Sequence, residues 1–170
     1  SSTMLMWATR AWWCLRYAGV ENVRILNGSF DAWQKAGLEV ENGDNHYPPD
    51  SFTSRGNKSL FCNTEQVERI SQEKGCSINA LAEDVYEGTS TSSYGRPGHI
   101  PASHSQPFYE LLESDFFLDP EFLQQKLTEQ NMLGEETVTI YCGGGIAATI
   151  NAFACHLMGK DSVSVYDGSL

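Results

Sequence analysis

The segment Tyr141-Cys142-Gly143-Gly144-Gly145-Ile146-Ala147-Ala148 does most to limit what this chain can fold into. The β-branched run before it, Glu136–Tyr141, predicts a buried strand. The apolar run after it, Ala147–Met158, predicts a helix. A strand that turns through three glycines straight into a helix is a unit of a parallel α/β sheet, and ligands of such sheets gather at the carboxyl ends of the strands. The glycines let the backbone curl so that its N–H groups point inward, and the helix start adds partial positive charge. Such a setting favours a thiolate over a thiol and so predicts a nucleophilic Cys142. Two other readings compete. Cysteine is often a small buried hydrophobe. Gly143-x-Gly145-x-x-Ala148, with Asp167 ending the next strand, also fits a dinucleotide fingerprint, a reading that leaves Cys142 without a role.

The rest of the chain predicts alternating elements. Helices are expected at Trp7–Ala18, Phe30–Ala36, Thr64–Lys74 (capped by Asn63 or Thr64) and Pro120–Asn131 (capped by Asp119). Strands are expected at Val23–Leu26, Ser77–Leu81 and Ser162–Tyr166. Leu38 to about Asn57 is polar and rich in Asn, Asp and Pro, as a linker is. Ala82–Arg96 is mostly loop, with a flexible Gly88–Ser93. The 170 residues suffice for one core with a modest extension.

A net charge of −11 argues against nucleic acid and anionic membrane surfaces as partners. No run approaches the length of a membrane span and no signal peptide is visible. Cys14, Cys62, Cys76, Cys142 and Cys155 are odd in number and lack zinc-type spacing. They predict free thiols, no metal and a reducing, cytoplasmic home, although a targeting segment could precede the first residue.

The sequence repeats itself. Laying Ser1–Phe30 over Tyr141–Leu170 at a constant shift of 140 aligns Ala8/Ala148, Thr9/Thr149, Gly19/Gly159, Val23/Val163, Gly28/Gly168 and Ser29/Ser169 as identities. Each copy reads as a helix, a closing glycine, a β-branched segment and a turn. Gly19 and Gly159 are expected at helix C′ positions. In this alignment Cys142 faces Ser2, and the three glycines face Thr3, Met4 and Leu5. No base is placed to activate Ser2, which reads as structural.

The Cys142 loop resembles the active-site loop of the rhodanese superfamily, in which a strand-end cysteine is cradled by the five residues that follow it. Here these are Gly143, Gly144, Gly145, Ile146 and Ala147. Tyr94-Gly95-Arg96-Pro97-Gly98-His99-Ile100-Pro101-Ala102 is similar to the Gly-His-Ile-Pro-Gly signature that precedes this loop in the family. The resemblance implies a rhodanese-like α/β fold: an open, mostly parallel sheet with helices on both faces. It implies a tandem sulfurtransferase of the thiosulfate or 3-mercaptopyruvate type, truncated at both ends. Residues 1–37 would be the end of an inactive N-terminal domain, 38–58 a linker, and 59–170 a catalytic domain without its C-terminal helix. Cys142 would carry a persulfide between a small anionic donor and a thiol or cyanide, with no cofactor, and Arg96 would attract the donor. A non-catalytic rhodanese-like binding module is the alternative.

Some positions depart from the family. Asn79-Ala80-Leu81 stands where many members carry Asp-Ala-Arg, so one donor-holding arginine is replaced by Leu81. Ala148 occupies the arginine position of the related Cys-x5-Arg phosphatases, which disfavours that chemistry. Of the histidines, His99 reads mainly as a loop anchor, His156 lies too far along its helix to serve Cys142, and His104 remains open. Cys76 and Cys155 fall in apolar patterns and read as core.

Overall fold

The computed structural model describes residues 2–73, 75–91, 94–134 and 136–170, and the side chains from residue 5 onward within that set. Helix α1 (Ser2–Ala18) is followed by a short α2 (Phe30–Lys35). The second region runs β1 (Phe61–Cys62), α3 (Thr64–Glu73), β2 (Ser77–Asn79), α4 (Glu83–Tyr86), β3 (His104–Ser105), a hairpin β4/β5 (Leu112–Glu113, Phe116–Phe117), α5 (Pro120–Glu129), β6 (Val138–Tyr141), α6 (Ala148–Leu157) and β7 (Val163–Tyr166). The main sheet has the order β1-β7-β6-β2-β3 and every pairing in it is parallel. β6 is therefore central, and Cys142 follows its last residue.

The two faces of this sheet differ, as the alternation of side chains along a strand demands. Ile78, Val138, Ile140, Val163 and Val165 join α1, α5 and α6 in the large core, which also holds Cys142. Tyr141 and Tyr166 point the other way and pack on Val67 of α3. That second face is partly polar: Thr139 Oγ1 and Ser164 Oγ bond at 3.0 Å, and Thr64 Oγ1 reaches the Tyr166 hydroxyl at 3.0 Å. α6 is buried along most of its length, from Ala148 to Cys155, as expected for a helix with almost no polar face.

The repeat is visible in hydrogen bonds. The amides of Val20 and Gly19 close α1 on Leu15 and Arg16; those of Lys160 and Gly159 close α6 on Cys155 and His156, the same bonds 140 residues later. Gly19 (φ +98°) and Gly159 (φ +80°) occupy the left-handed C′ position that glycine adopts without strain. The two helices pack on each other through Thr9 and Thr149, both fully buried, whose hydroxyl oxygens lie 2.8 Å apart. Equivalent residues in mutual contact are what a two-fold relation between the copies produces.

One local expectation is corrected. Val23–Leu26 forms no strand, because no neighbouring strand offers it a ladder; Val23 and Ile25 pack against the core while Arg24 and Leu26 stay exposed, and the Val23 carbonyl accepts from Trp12 Nε1 at 2.9 Å. Asp119 sits at the N-cap of α5 without a capping side-chain bond, so Pro120 alone marks that start. The short strands β1, β3 and the β4/β5 hairpin carry too little alternation to be read from sequence. At α3 the cap is Asn63: its Oδ1 accepts from Gln66 N and Gln66 Oε1 accepts from Asn63 N, both at 2.9 Å. Lys74, expected to end α3, lies outside the described residues, as do Ser92 and Ser93 of the loop expected to be flexible and the side chain of Ser2. Residues 38–57 contain no regular element; the segment returns along α1, where Arg55 N and Asn57 N donate to the Ala18 and Tyr17 carbonyls.

Candidate active site

β6 delivers Cys142 to the carboxyl edge of the sheet at 2 % exposure. The Leu170 amide donates to the Cys142 carbonyl at 3.2 Å, so the turn after β7 holds the start of the loop. The loop then crosses to α6 at Ala147 and Ala148.

The three glycines have different reasons to be glycine. A Cβ on Gly143 would come within 2.2 Å of the Tyr94 ring, so the aromatic lies directly against the backbone beside the cysteine. A Cβ on Gly144 would meet nothing within 4 Å; this residue faces open space. Gly145 has φ +71° and a Cβ there would sit 2.3 Å from Asp167 Oδ1, so both conformation and space exclude a side chain. Its amide donates to Ser169 Oγ at 2.9 Å and its carbonyl accepts from Arg10 Nη1 at 3.0 Å. The inward amides expected of the glycine run therefore do not include Gly145, whose N–H is already spent.

Arg10 reaches this loop from α1. Its Nη1 also contacts Asp167 Oδ1 at 2.6 Å, and its guanidinium lies 5.3 Å from the centre of the Phe61 ring. Burial lowers the arginine pKa, but the Asp167 hydrogen bond and charge, with smaller contributions from Cys14 and Cys142, carry it upward overall, so the group stays charged. Asp167 is thus turned toward an arginine and against Gly145. That arrangement takes up the space and the carboxylate a dinucleotide ribose would need.

Arg96 is exposed and lines a cavity of about 840 Å³ with Thr64, Glu68, His99, Tyr166, Ser169 and Leu170. Ser169 and Leu170, which hold the Cys142 loop, also line this cavity, whereas none of residues 142–147 does. Leu81 is buried in the core at 7 % exposure, and the Asn79 Oδ1 accepts from its amide at 2.7 Å.

The remaining candidates separate clearly. His99 Nδ1 is 2.8 Å from the Tyr86 carbonyl and its ring stacks on Tyr86 at 3.9 Å, the anchoring role weighed for it. His156 Nδ1 pairs with Asp161 Oδ1 at 2.8 Å at the far end of α6. His104 lines a different cavity with Glu83, Glu110 and Lys126. Burial pushes the Cys155 thiol up to about 12 and raises that of Cys76, which leaves both as inert core thiols at neutral pH. Among the described residues, no group of His, Cys, Asp and Glu is arranged to hold a metal ion, and no helix is long and apolar enough to cross a membrane.

The residues missed from sequence are Arg10, Tyr94, Ser169 and Leu170. Arg10 left one signal, a cation on a helix otherwise rich in apolar and aromatic residues. Nothing in the pattern shows that it points at a loop 135 residues away.

A strand-end cysteine, a glycine loop pinned at both ends and a buried helix behind it define a rhodanese-type site. The family model of the rhodanese-like domain matches residues 77–170, more than half of the chain, and the chain belongs to that family. Among curated relatives, mouse 3-mercaptopyruvate sulfurtransferase is 30% identical over 166 residues, covering 95% of this chain and 56% of the relative. Chicken thiosulfate sulfurtransferase is 32% identical over 165 residues, covering 96% and 57%. The chain thus spans little more than half the length of these relatives. The crystal structure of the 3-mercaptopyruvate sulfotransferase SseA from Escherichia coli superposes with a TM-score of 0.81 at 27% identity, over 98% of this chain and 63% of that one.

Proposed function

We propose that this chain carries the catalytic site of a sulfurtransferase, with Cys142 as the sulfur carrier. The observation that carries the reading is the placement of Cys142 at the end of a central parallel strand, at the mouth of a loop whose Gly144 faces open space. The relatives named above, thiosulfate and 3-mercaptopyruvate sulfurtransferases, support it.

The steps balance without a cofactor. The Cys142 thiolate attacks the outer sulfur of thiosulfate; the new S–S bond forms as the old one breaks, and sulfite leaves with the electron pair. With 3-mercaptopyruvate the broken bond is C–S, and the carbon takes a proton to give pyruvate. An acceptor thiolate or cyanide then attacks the outer sulfur of the persulfide and releases Cys142 as thiolate. In this reading the amides of Gly143, Gly144, Ile146 and Ala147 stabilise the anionic sulfur, and the start of α6 adds to their field. Arg96 draws the anionic donor into the cavity, a local attraction that a chain of net charge −11 needs.

Residues 1–37 fit the end of a catalytically silent first domain, 38–58 a linker and 59–170 the domain that bears the site. The five cysteines, all free, suit a reducing compartment such as the cytoplasm.

Intact mass after donor treatment tests the proposal. The protein is expected to gain one sulfur atom that reductant removes. Cys142→Ser should abolish the gain, a loss of at least about 10³-fold in turnover, while Cys76→Ser and Cys155→Ser retain it. A gain that persists in Cys142→Ser overturns the assignment.

A further inference from the structure

We propose that Arg10, on a helix of the silent copy, is a positioning residue for the Cys142 loop: it fixes the direction of a loop peptide and brings a fixed positive charge to the loop that begins at Cys142. The inference builds on the sulfurtransferase reading, but its test does not depend on sulfur transfer.

Four observations carry it. First, one nitrogen of Arg10 spans the Gly145 carbonyl at 3.0 Å and Asp167 Oδ1 at 2.6 Å, and so ties the loop to the end of β7. A peptide unit is planar and trans, so its C=O and N–H point in opposite directions. Pinning the Gly145 carbonyl toward Arg10 therefore aims the Ile146 N–H away from it, on the other side of the loop. Second, the arginine is itself immobilised. Its side chain is 22 % exposed and rests on Phe61, and the preceding Thr9 is locked against Thr149 in the helix contact. Third, Gly145 lies three residues beyond Cys142 in one loop, whose start the Leu170 amide fixes at the Cys142 carbonyl, so the guanidinium enters the same turn that carries the sulfur.

The fourth observation is an asymmetry. Applying the 140-residue shift to this contact exchanges Arg10 for Ile150, Gly145 for Leu5 and Asp167 for Asn27. Ile150 and Leu5 both lie in the apolar core, and Asn27 uses its Oδ1 to accept from the Phe117 amide. Where the copies share a purely structural duty, as at Thr9 and Thr149, they kept the same residue. The arginine exists only on the side that faces a cysteine. The ion pair adds little to stability by itself, because Asp167 is 52 % exposed and a pair that open contributes about 0–1 kcal/mol.

The test compares Arg10→Met with Arg10→Lys in the full chain, with Cys14→Ser as the common background so that a neighbouring thiol does not blur the readout. Alkylation of Cys142 by iodoacetamide, a neutral reagent, is followed by peptide mass at a fixed neutral pH. Steady-state kinetics with thiosulfate and thermal unfolding run in parallel. Arg10→Met is expected to slow alkylation about 10-fold and to lower kcat by a similar factor, with KM within about 3-fold and Tm within about 4 °C. Arg10→Lys, which keeps the charge and a donor, should recover most of the alkylation rate. Alkylation of Arg10→Met within 2-fold of the parent overturns the proposal, and so does an Arg10→Lys variant that folds normally and recovers nothing. If Arg10→Met fails to fold, Arg10→Gln decides: slowing of about 3-fold or more supports a role for the charge, and an unchanged rate overturns it. A parent protein that takes no sulfur from any donor would remove the sulfurtransferase reading, yet the alkylation comparison would still decide the role of Arg10.

Discussion

Two copies of one supersecondary unit lie side by side in this molecule; they share their helix ends and differ most at the loop before the helix. Both close their helices with the same pair of backbone bonds around a left-handed glycine, and both bury a threonine at the helix contact. In the second copy a strand feeds a cysteine and three glycines into the helix; in the first, the residues aligned with that loop are part of α1, which begins at Ser2. The helix that starts late leaves room for a loop, and the proposed chemistry lies in that loop. The comparison teaches that a shared scaffold and a site are separable: caps and helix contacts tolerate divergence elsewhere, whereas the site depends on a run of residues too small to continue the helix inward.

Transplanting residues between the copies tests this. Gly145→Leu installs the first copy's Leu5 and should have the largest effect on folding. The backbone is left-handed there and Asp167 occupies the side-chain space, so a cost of about 2–4 kcal/mol is expected. That corresponds to roughly 5–15 °C in Tm, read by thermal unfolding. An unchanged Tm would mean that the loop is free to adopt another path.

Gly144→Met installs the first copy's Met4 where the structure is open. Tm should hold within about 2 °C, while kcat/KM for sulfur transfer falls roughly 10- to 100-fold because the side chain fills the space before the sulfur. Near-normal turnover would show that the donor approaches from another direction. Arg96→Ala has no counterpart in the first copy. Removing one charge-assisted contact of about 1–3 kcal/mol should cost roughly 5- to 150-fold in kcat/KM, mainly through KM. Kinetics unchanged from the parent with both thiosulfate and mercaptopyruvate would make Arg96 a loop residue only. Adding an arginine at Leu81, the position where many family members have one, is not expected to help here, because Leu81 is buried and the charge would enter the core.

Much of this was legible in the sequence because it rests on local rules. The glycine loop between a β-branched run and an apolar run fixes its own neighbourhood, and Gly19 and Gly159 announce helix ends by conformation alone. The 140-residue repeat marks both helices and their closing glycines, although not that the two helices pack on each other. What escaped was set by tertiary partners. Val23–Leu26 has the composition of a strand and no neighbour to pair with, while Phe61–Cys62 is a strand only because β7 lies beside it. Arg10 and Tyr94 belong to the site because folding brings them to Gly145 and Gly143, and no spacing in the sequence encodes those approaches.

The contact between Thr9 and Thr149 also bears on the speed of folding. It joins residues 140 apart in sequence, and the entropy of closing so long a loop must be met before the helix contact stabilises anything. The docking of α1 on α6 is therefore expected to be a late and slow step of folding, and a variant that weakens the contact should change the unfolding rate more than the folding rate.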